Sequence, residues 1–264
     1  MIGAIIGDIV GSRFEFGPAP EKGFELFTPE CSYTDDTICT IAIADAIMNG
    51  KDYGERLLCW CRKYPEPMGS YGHRFYQWIH AEHPQPMDSF GNGAAMRVSP
   101  VGWLFDDYHE VLNEAKRSAE VSHNHPEGVK GAQCVATLIY WLRTVRITKE
   151  KVEHAVKRNF GYELPPMRDI LRIGANGHFD GTCQETVPMA IRCFMDADNF
   201  EEVIRKAVLC DGDTDTKAAI AGSIAEAYYE VPEWMIEKAM SYLPDDMLAV
   251  LSQYYDVMKE RIEI

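Results

Sequence analysis

The sequence predicts an all-α fold in which many short helices surround a few central apolar ones. Apolar residues recur at three- and four-residue spacing along most of the chain, and few stretches alternate with period two. Glycine and proline stop signals are spread evenly along the 264 residues, with no linker, charge block or internal repeat. We therefore expect a single domain, residues 1–264, with a sizeable core.

The individual helices follow from the apolar periodicity and from the residues that bound each periodic run. Gly50 ends the first strong run, Pro65 and Pro67 follow the second, and Pro244 separates the last two. The predicted helices are residues 37–49, 51–63, 73–82, 108–120, 128–142, 149–158, 165–172, 185–195, 199–209, 215–229, 232–241 and 245–262.

Three glycines near the start of the chain are spaced every four residues. If this segment is helical, Gly3, Gly7 and Gly11 form a strip of small residues along one face, which favours close packing against another helix. The spacing is not that of a dinucleotide-binding or phosphate-binding glycine loop. The segment lacks a basic region and is interrupted by Asp8, so a secretory signal is not expected.

Composition limits the classes of partner and the compartment. The formal net charge of -15 argues against nucleic acid as a major ligand, because phosphate binding depends on clustered lysine and arginine. No run of about 18 uncharged apolar residues exists, so no membrane span is expected. The eight cysteines contain no paired CxxC motif, which is typical of a reduced cytoplasmic protein. A monomer is the simplest expectation.

An acidic segment precedes the first strong helix. In CSYTDDTICTIAIADAI, residues 31–47, Thr34, Asp35 and Asp36 stand directly before an apolar run, and we call these three residues the first acidic cluster. Aspartate and threonine are favoured at helix starts, where their oxygens accept free N–H groups, so capping alone is one interpretation. Thr37 is then available to serve the helix.

A similar segment, DGDTDTK at residues 211–217, precedes a second apolar run, and we call Asp213, Asp215 and Thr216 the second acidic cluster. The two clusters offer more oxygen ligands than two helix starts can use, and clustered carboxylates repel unless a cation neutralises them. Oxygen donors without histidine or cysteine suit Mg²⁺, Mn²⁺ or Ca²⁺ and disfavour zinc. If the two helices run parallel, the clusters meet and could hold two divalent ions.

Three further segments carry candidate site residues. Glu15, between two phenylalanines, is either a solvated loop residue or an acid/base with a raised pKa. The glycine-rich turn at residues 88–100 is either an ordinary turn or a cradle for an anion such as pyrophosphate. His123 and His125 flank a turn, as a metal pair or as a loop with one ligand contact. In the aromatic stretch 71–80, His73 or Arg74 is free to line a pocket.

Five motifs in this order resemble those of the ADP-ribosylglycohydrolase family. They are GDxxGxxxEF at residues 7–16, YTDDT at 33–37, SFGNGAAMR at 89–97, SHNHPEG at 122–128 and GDTDT at 212–216. The resemblance implies a compact orthogonal bundle of helices and a cleft for ADP-ribose with two Mg²⁺ or Mn²⁺ ions at its bottom. It further implies cleavage of the glycosidic bond at C1″ of ADP-ribose attached to a protein side chain or a small molecule.

The resemblance also implies roles for the residues that match the motifs. Glu15 would lie beside the metals and the ribose that is cleaved; it is the candidate acid/base, with Asp36 sharing proton transfer. Glycine-loop residues would meet the pyrophosphate and its neighbouring ribose, and His123 would contact the ligand. The implied metal ligands are Thr34, Asp35, Asp36, Asp213, Asp215 and Thr216, and the implied loop residues are Ser89, Phe90, Gly91, Asn92 and Gly93.

Two departures and two alternatives stand beside this prediction. The family commonly has two glycines before its DTDT motif and a neutral residue after it, whereas this chain has Asp211-Gly212 and Lys217. A two-metal phosphoesterase or pyrophosphatase would use the same ions to break a P–O bond. A non-enzymatic relative with the same fold is the other alternative. The leaving group is not predicted by these motifs.

Overall fold

Helices account for the regular structure of the chain in a computed structural model, which describes residues 1–174 and 178–262. A π-helical turn, Trp141–Val145, extends the eighth helix. The α-helices are α1 (Ile2–Gly11), α2 (Asp35–Met48), α3 (Tyr53–Lys63), α4 (His73–His80), α5 (Gly93–Met96), α6 (Ser99–Leu104), α7 (Tyr108–Glu120), α8 (Pro126–Tyr140), α9 (Lys149–Phe160), α10 (Met167–Gly174), α11 (Cys183–Asp196), α12 (Phe200–Val208), α13 (Thr214–Ala225), α14 (Glu233–Met240) and α15 (Asp245–Ile262).

The all-α prediction is confirmed, and the apolar side chains gather in one core cluster that draws on helices from α1 to α15. Among the described residues, β-structure is limited to one antiparallel bridge between Gly91 and Thr182. Each predicted helix overlaps an observed one. The short helices α5 and α6 were not predicted, because four and six residues are too few to establish a helical period.

The centre of the fold is the antiparallel contact between α1 and α13. All ten residues of α1 and all twelve of α13 are buried. A Cβ atom on Gly3 would lie 2.2 Å from the carbonyl oxygen of Gly222, and one on Gly222 would lie 2.2 Å from that of Gly3. A Cβ on Gly7 would lie 2.0 Å from the Ala218 oxygen. The glycine strip thus lets the two backbones touch.

The start of α1 lacks the signals that mark a helix start in a sequence. Its N-cap position is Met1, without a side-chain cap, and its first turn has no acidic residue. The helices α2 and α13 are also buried on nearly all sides, but acidic residues in their first turns mark where they begin, and both were predicted. Within residues 1–174 and 178–262, none of the helices combines the length and the apolarity needed to cross a bilayer.

The close contact between α1 and α13 predicts that Gly7→Ala lowers the free energy of unfolding. The new methyl group would press on a backbone carbonyl that cannot move independently, and overpacking of this kind costs about 1–3 kcal/mol or more. This outweighs the gain of roughly 1 kcal/mol in helix propensity. Urea unfolding should therefore show a lower free energy of unfolding for Gly7→Ala.

The matched control is Gly17→Ala, where the nearest atom to the added Cβ is the Arg13 oxygen at 3.6 Å. Its unfolding free energy should stay within about 0.5 kcal/mol of wild type, as for most surface changes. Equal stabilities of the two variants would contradict the close backbone contact.

Candidate functional site

The two acidic clusters lie at the same end of the core. The helix α2 begins at Asp35 and α13 begins at Thr214, and the hydroxyl of Thr216 donates to Asp36 Oδ2 at 3.0 Å across a sequence separation of 180 residues. Both helices thus direct their positive N-terminal ends at the carboxylates. The two acidic clusters are therefore neighbours in the structure, although they lie far apart in the sequence.

The first acidic cluster is held by Asp8 of α1, which the sequence analysis did not assign to the site. Asp8 accepts from the backbone N–H groups of Thr34 at 2.9 Å and Thr37 at 3.1 Å. It also accepts from both hydroxyls, that of Thr34 at 2.6 Å. Its pKa is raised to about 6, because burial outweighs these bonds. An aspartate inside an otherwise apolar helix was the available signal.

Thr34 also caps α2, since its hydroxyl oxygen accepts from the Asp36 N–H. The helix therefore begins two residues earlier than predicted, and Thr37 lies in its first turn. Thr37 was expected to serve the helix start. Its N–H and its hydroxyl both donate to Asp8 instead.

Carboxylate oxygens converge in two groups that share Asp215. Asp8, Asp36 and Asp215 form one group, and Glu15, Asp213 and Asp215 form the other; within each, the oxygens lie within 4.8 Å of one another. Asp35 lies alongside them on the wall of a cleft of about 340 Å³. Such an arrangement of oxygens is of the kind that divalent cations bind.

Burial and mutual repulsion strongly disfavour ionisation of these carboxyl groups. Desolvation is the largest cause in each case, and the neighbouring carboxylates add to it. The pKa of Glu15 is raised to about 8, with Asp213 and Asp35 as the charged neighbours. The pKa of Asp35 is also raised to about 8, and burial raises the pKa values of Asp36 and Asp215 well above their usual range. A cation would relieve the repulsion.

One carboxylate oxygen of the first acidic cluster has an unmet need for a binding partner. Asp36 Oδ1 is buried and has no hydrogen-bond partner, although its other oxygen accepts from Thr216. An unpartnered buried carboxylate oxygen is costly, and a hard cation is the group that would satisfy it. The donor set therefore fits Mg²⁺ or Mn²⁺.

The cleft continues from the acidic clusters to the glycine-rich turn. Asn92 joins the two parts, since its side-chain amide donates to Asp213 Oδ2 at 2.7 Å and its N–H donates to the Gly181 oxygen at 2.8 Å. A Cβ on Gly93 would lie 2.9 Å from His123 Nε2, so glycine keeps this wall open. The predicted residues that line the cleft are Glu15, Asp35, Ser89, Gly91, Asn92, Gly93, His123, Asp213, Asp215 and Thr216.

The remaining predicted residues lie outside the cleft surface. Thr34 and Asp36 are behind it, joined through their hydrogen bonds. The Phe90 ring is 43% exposed and meets the His125 ring edge to face, away from the lining. His125 caps α8 by accepting from the Glu127 N–H, which leaves His123 as the histidine of this pair in the cleft.

Cleft residues outside the predicted set come mainly from loops and short helices. His73 and Arg74, which were flagged only as free to line a pocket, both do so. Phe179 and Gly181 come from the segment before α11, whose sequence carries no recognised motif. The other lining residues are Ser70, Gly72, Phe75, Met87, Met96 and Arg97.

His123 is prepared as a neutral hydrogen-bond donor. Its pKa is lowered well below the usual value by burial, and the Arg97 guanidinium adds to the effect. Ser122 Oγ accepts from Arg97 Nη2 at 2.8 Å and lies 2.8 Å from His123 Nδ1. The serine hydroxyl can therefore donate to Nδ1, which places the imidazole proton on Nε2, the nitrogen that faces Gly93.

Comparison with known proteins gives consistent matches over nearly the whole chain. The family model described as ADP-ribosylglycohydrolase matches residues 1–263. The chain is 24% identical to the bovine (Bos taurus) ADP-ribosylhydrolase ARH3, with 94% of this chain and 90% of that protein covered. It is 23% identical to the Rhodospirillum rubrum ADP-ribosyl-[dinitrogen reductase] glycohydrolase, with 88% and 85% covered.

A third relative, the ADP-ribosylarginine hydrolase Tri1 of Pseudomonas putida, is 25% identical over 91% of this chain and 73% of its own length. A solved structure titled ADP-ribosylglycohydrolase-related protein complex superposes with a TM-score of 0.68 at 24% identity, covering 97% of both chains. This likeness supports the fold.

Asp36→Asn should weaken Mn²⁺ binding, because it replaces a carboxylate in the group that lacks a counter-charge. Loss of a residue that merely supports a metal ligand costs about 10–100-fold in affinity, so we expect a loss at least that large. Isothermal titration calorimetry of the two proteins measures it.

Asp45→Asn is the control on the same helix, since Asp45 is buried and accepts from Trp60 Nε1 at 2.8 Å, away from the clusters. It should bind Mn²⁺ like wild type. Unchanged affinity in Asp36→Asn would remove this residue from any metal site.

Proposed function

Since the chain belongs to the ADP-ribosylglycohydrolase family, we propose that it hydrolyses the glycosidic bond at C1″ of the distal ribose of ADP-ribose, releasing ADP-ribose. The substrate would be an ADP-ribosylated protein or an ADP-ribosylated small molecule. The observation that carries the proposal is the meeting of the two acidic clusters and Glu15 at the end of one cleft.

Two divalent cations, Mg²⁺ or Mn²⁺, are the proposed cofactors. The proposed ligands are Thr34, Asp35 and Asp36 from the first acidic cluster and Asp213, Asp215 and Thr216 from the second. Asp8 accepts four hydrogen bonds from Thr34 and Thr37. Its proposed role is therefore to hold the first acidic cluster in place. When bound, the ions would supply Lewis acidity that orients ribose hydroxyls and lowers the pKa of a water molecule.

Glu15 is the proposed acid/base. It contributes an oxygen to the group with Asp213 and Asp215 and also lines the cleft. Burial, the largest cause of its raised pKa, favours the protonated carboxyl that protonation of a leaving group requires. After the bond breaks, the carboxylate would accept the proton of the attacking water. Asp36, which contributes an oxygen to the adjoining group with Asp8 and Asp215, would share this transfer.

The other part of the cleft is proposed to bind the ADP portion through Ser89, Phe90, Gly91, Asn92, Gly93 and His123. The Nε2–H group of a neutral His123 would donate to an oxygen of the diphosphate or of its neighbouring ribose. The absence of side chains at Gly91 and Gly93 leaves room for those oxygens. Phe90 would contribute through its backbone, because its ring is turned away. Positioning of the substrate along the cleft would bring C1″ beside Glu15.

The proposed reaction is tested by the identity of its product. Arginine-linked and serine-linked ADP-ribosyl peptides, incubated with the chain and Mg²⁺ or Mn²⁺, should release free ADP-ribose from at least one linkage, measured by chromatography with mass detection. EDTA should stop the release. Release of AMP would instead indicate cleavage of the P–O bond, and no turnover of either peptide or of a small ADP-ribosylated metabolite would favour a non-enzymatic role.

Glu15→Gln should lower turnover by about 10²–10⁴-fold, the usual range for loss of general acid–base catalysis. Mn²⁺ affinity should be retained, because Glu15 is not among the proposed metal ligands. Single-turnover assays on the cleaved peptide and calorimetry with Mn²⁺ measure the two quantities.

The control for this change is Glu114→Gln, which alters a carboxylate that accepts from the Tyr53 hydroxyl and does not line the cleft. Its turnover should equal that of wild type. Wild-type turnover in Glu15→Gln would exclude Glu15 as the acid/base.

A further inference from the structure

A buried lysine stands immediately after the second acidic cluster. Lys217 is only 4% exposed, although lysine is almost never buried without a partner. Its Nζ donates to the backbone oxygen of Asp211 at 2.5 Å. A Cβ on Gly212 would lie 3.4 Å from the same nitrogen, so the ammonium group rests directly against this turn.

The turn that Lys217 contacts has a demanding backbone. Asp211 has φ of +57° and Gly212 has φ of +66°, two consecutive residues in the left-handed region. Glycine adopts this region freely, but aspartate does so at a steric cost and needs support from its surroundings. Gly212 is also confined, since a Cβ there would lie 2.6 Å from the His178 oxygen. The hydrogen bond from Lys217 fixes the direction of the Asp211 carbonyl.

The next residue in the chain is Asp213. Its Oδ2 accepts from the Asn92 amide at 2.7 Å, and its oxygens converge with those of Glu15 and Asp215. The direction of this carboxylate is set from one side by Asn92 and from the other by the turn that precedes it. Residues that support metal ligands in this way commonly control affinity nearly as strongly as the ligands themselves.

We propose that Lys217 is a positioning residue, which holds the Asp211-Gly212 turn so that Asp213 reaches the metal group. The inference rests on the metal site of the proposed function. It gives a role to a residue outside the ligand set and explains how this chain accommodates an aspartate at position 211.

The test is Mn²⁺ binding to the full chain, measured by calorimetry for Lys217→Met and Lys217→Arg. Methionine keeps the length of the side chain but removes the donor and the charge, and we expect about 10–100-fold weaker binding. Arginine keeps both, and we expect recovery to within about tenfold of wild type. A purely structural lysine would lower the melting temperature without changing the Mn²⁺ affinity of the folded protein.

Asp211→Asn is the matched control. Lys217 contacts the backbone oxygen of residue 211, and asparagine keeps that oxygen and tolerates the left-handed conformation. Its Mn²⁺ affinity should therefore match wild type. Weakening equal to that of Lys217→Met would show that the carboxylate of Asp211 is what matters, which overturns the proposed contact.

Wild-type affinity in Lys217→Met would overturn the inference. If that variant does not fold, Lys217→Gln replaces it; the shorter, neutral side chain should also bind Mn²⁺ more weakly, and unchanged affinity would again overturn the role. Failure of the wild-type chain to bind Mn²⁺ would overturn the proposed metal site and this inference with it. Binding by wild type and Lys217→Met alike would overturn the role of Lys217 alone.

Discussion

The site depends on the close approach of α1 and α13. The backbones touch where Gly3 and Gly7 meet Gly222 and Ala218, at distances that exclude any side chain. This contact places Asp8 of one helix next to Asp215 of the other. Because Asp8 in turn holds Thr34 and Thr37, the start of α2 is positioned through the same pair. The absence of side chains on these glycines thus permits the helix contact that sets the geometry of the acidic site.

The acidic site is costly to the fold, and its surroundings limit that cost in different ways. Asp8 is supplied with four donors, whereas Asp36 keeps one oxygen without a partner. The positive ends of two helices stabilise negative charge, but burial still raises the pKa values of Asp8, Glu15, Asp35, Asp36 and Asp215. The fold therefore satisfies some of these carboxylates fully and leaves Asp36 with an unpartnered oxygen. This division is common where stability is given up for function.

Much of this could be predicted from the sequence, and the exceptions have physical causes. Amphipathic helices such as α7 show their period because one face meets water, and the two acidic clusters were recognisable from composition alone. The helix α1 was not predicted as such, because no side-chain cap or acidic first turn marks its start, and Asp8, although part of the motif at residues 7–16, was not assigned to the site. Phe179 enters the cleft through a tertiary contact that no local pattern encodes.

The contact between α1 and α13 also has a consequence for the order of events during synthesis. The ribosome releases α1 first, but its partner begins at Thr214, which at roughly 5–20 residues per second emerges tens of seconds later. During this interval the segment of α1, which is apolar apart from Asp8, lacks the surface that covers it in the native protein. The nascent chain therefore presents a hydrophobic segment suited to chaperone capture, and the two halves of the acidic site come together only late in translation.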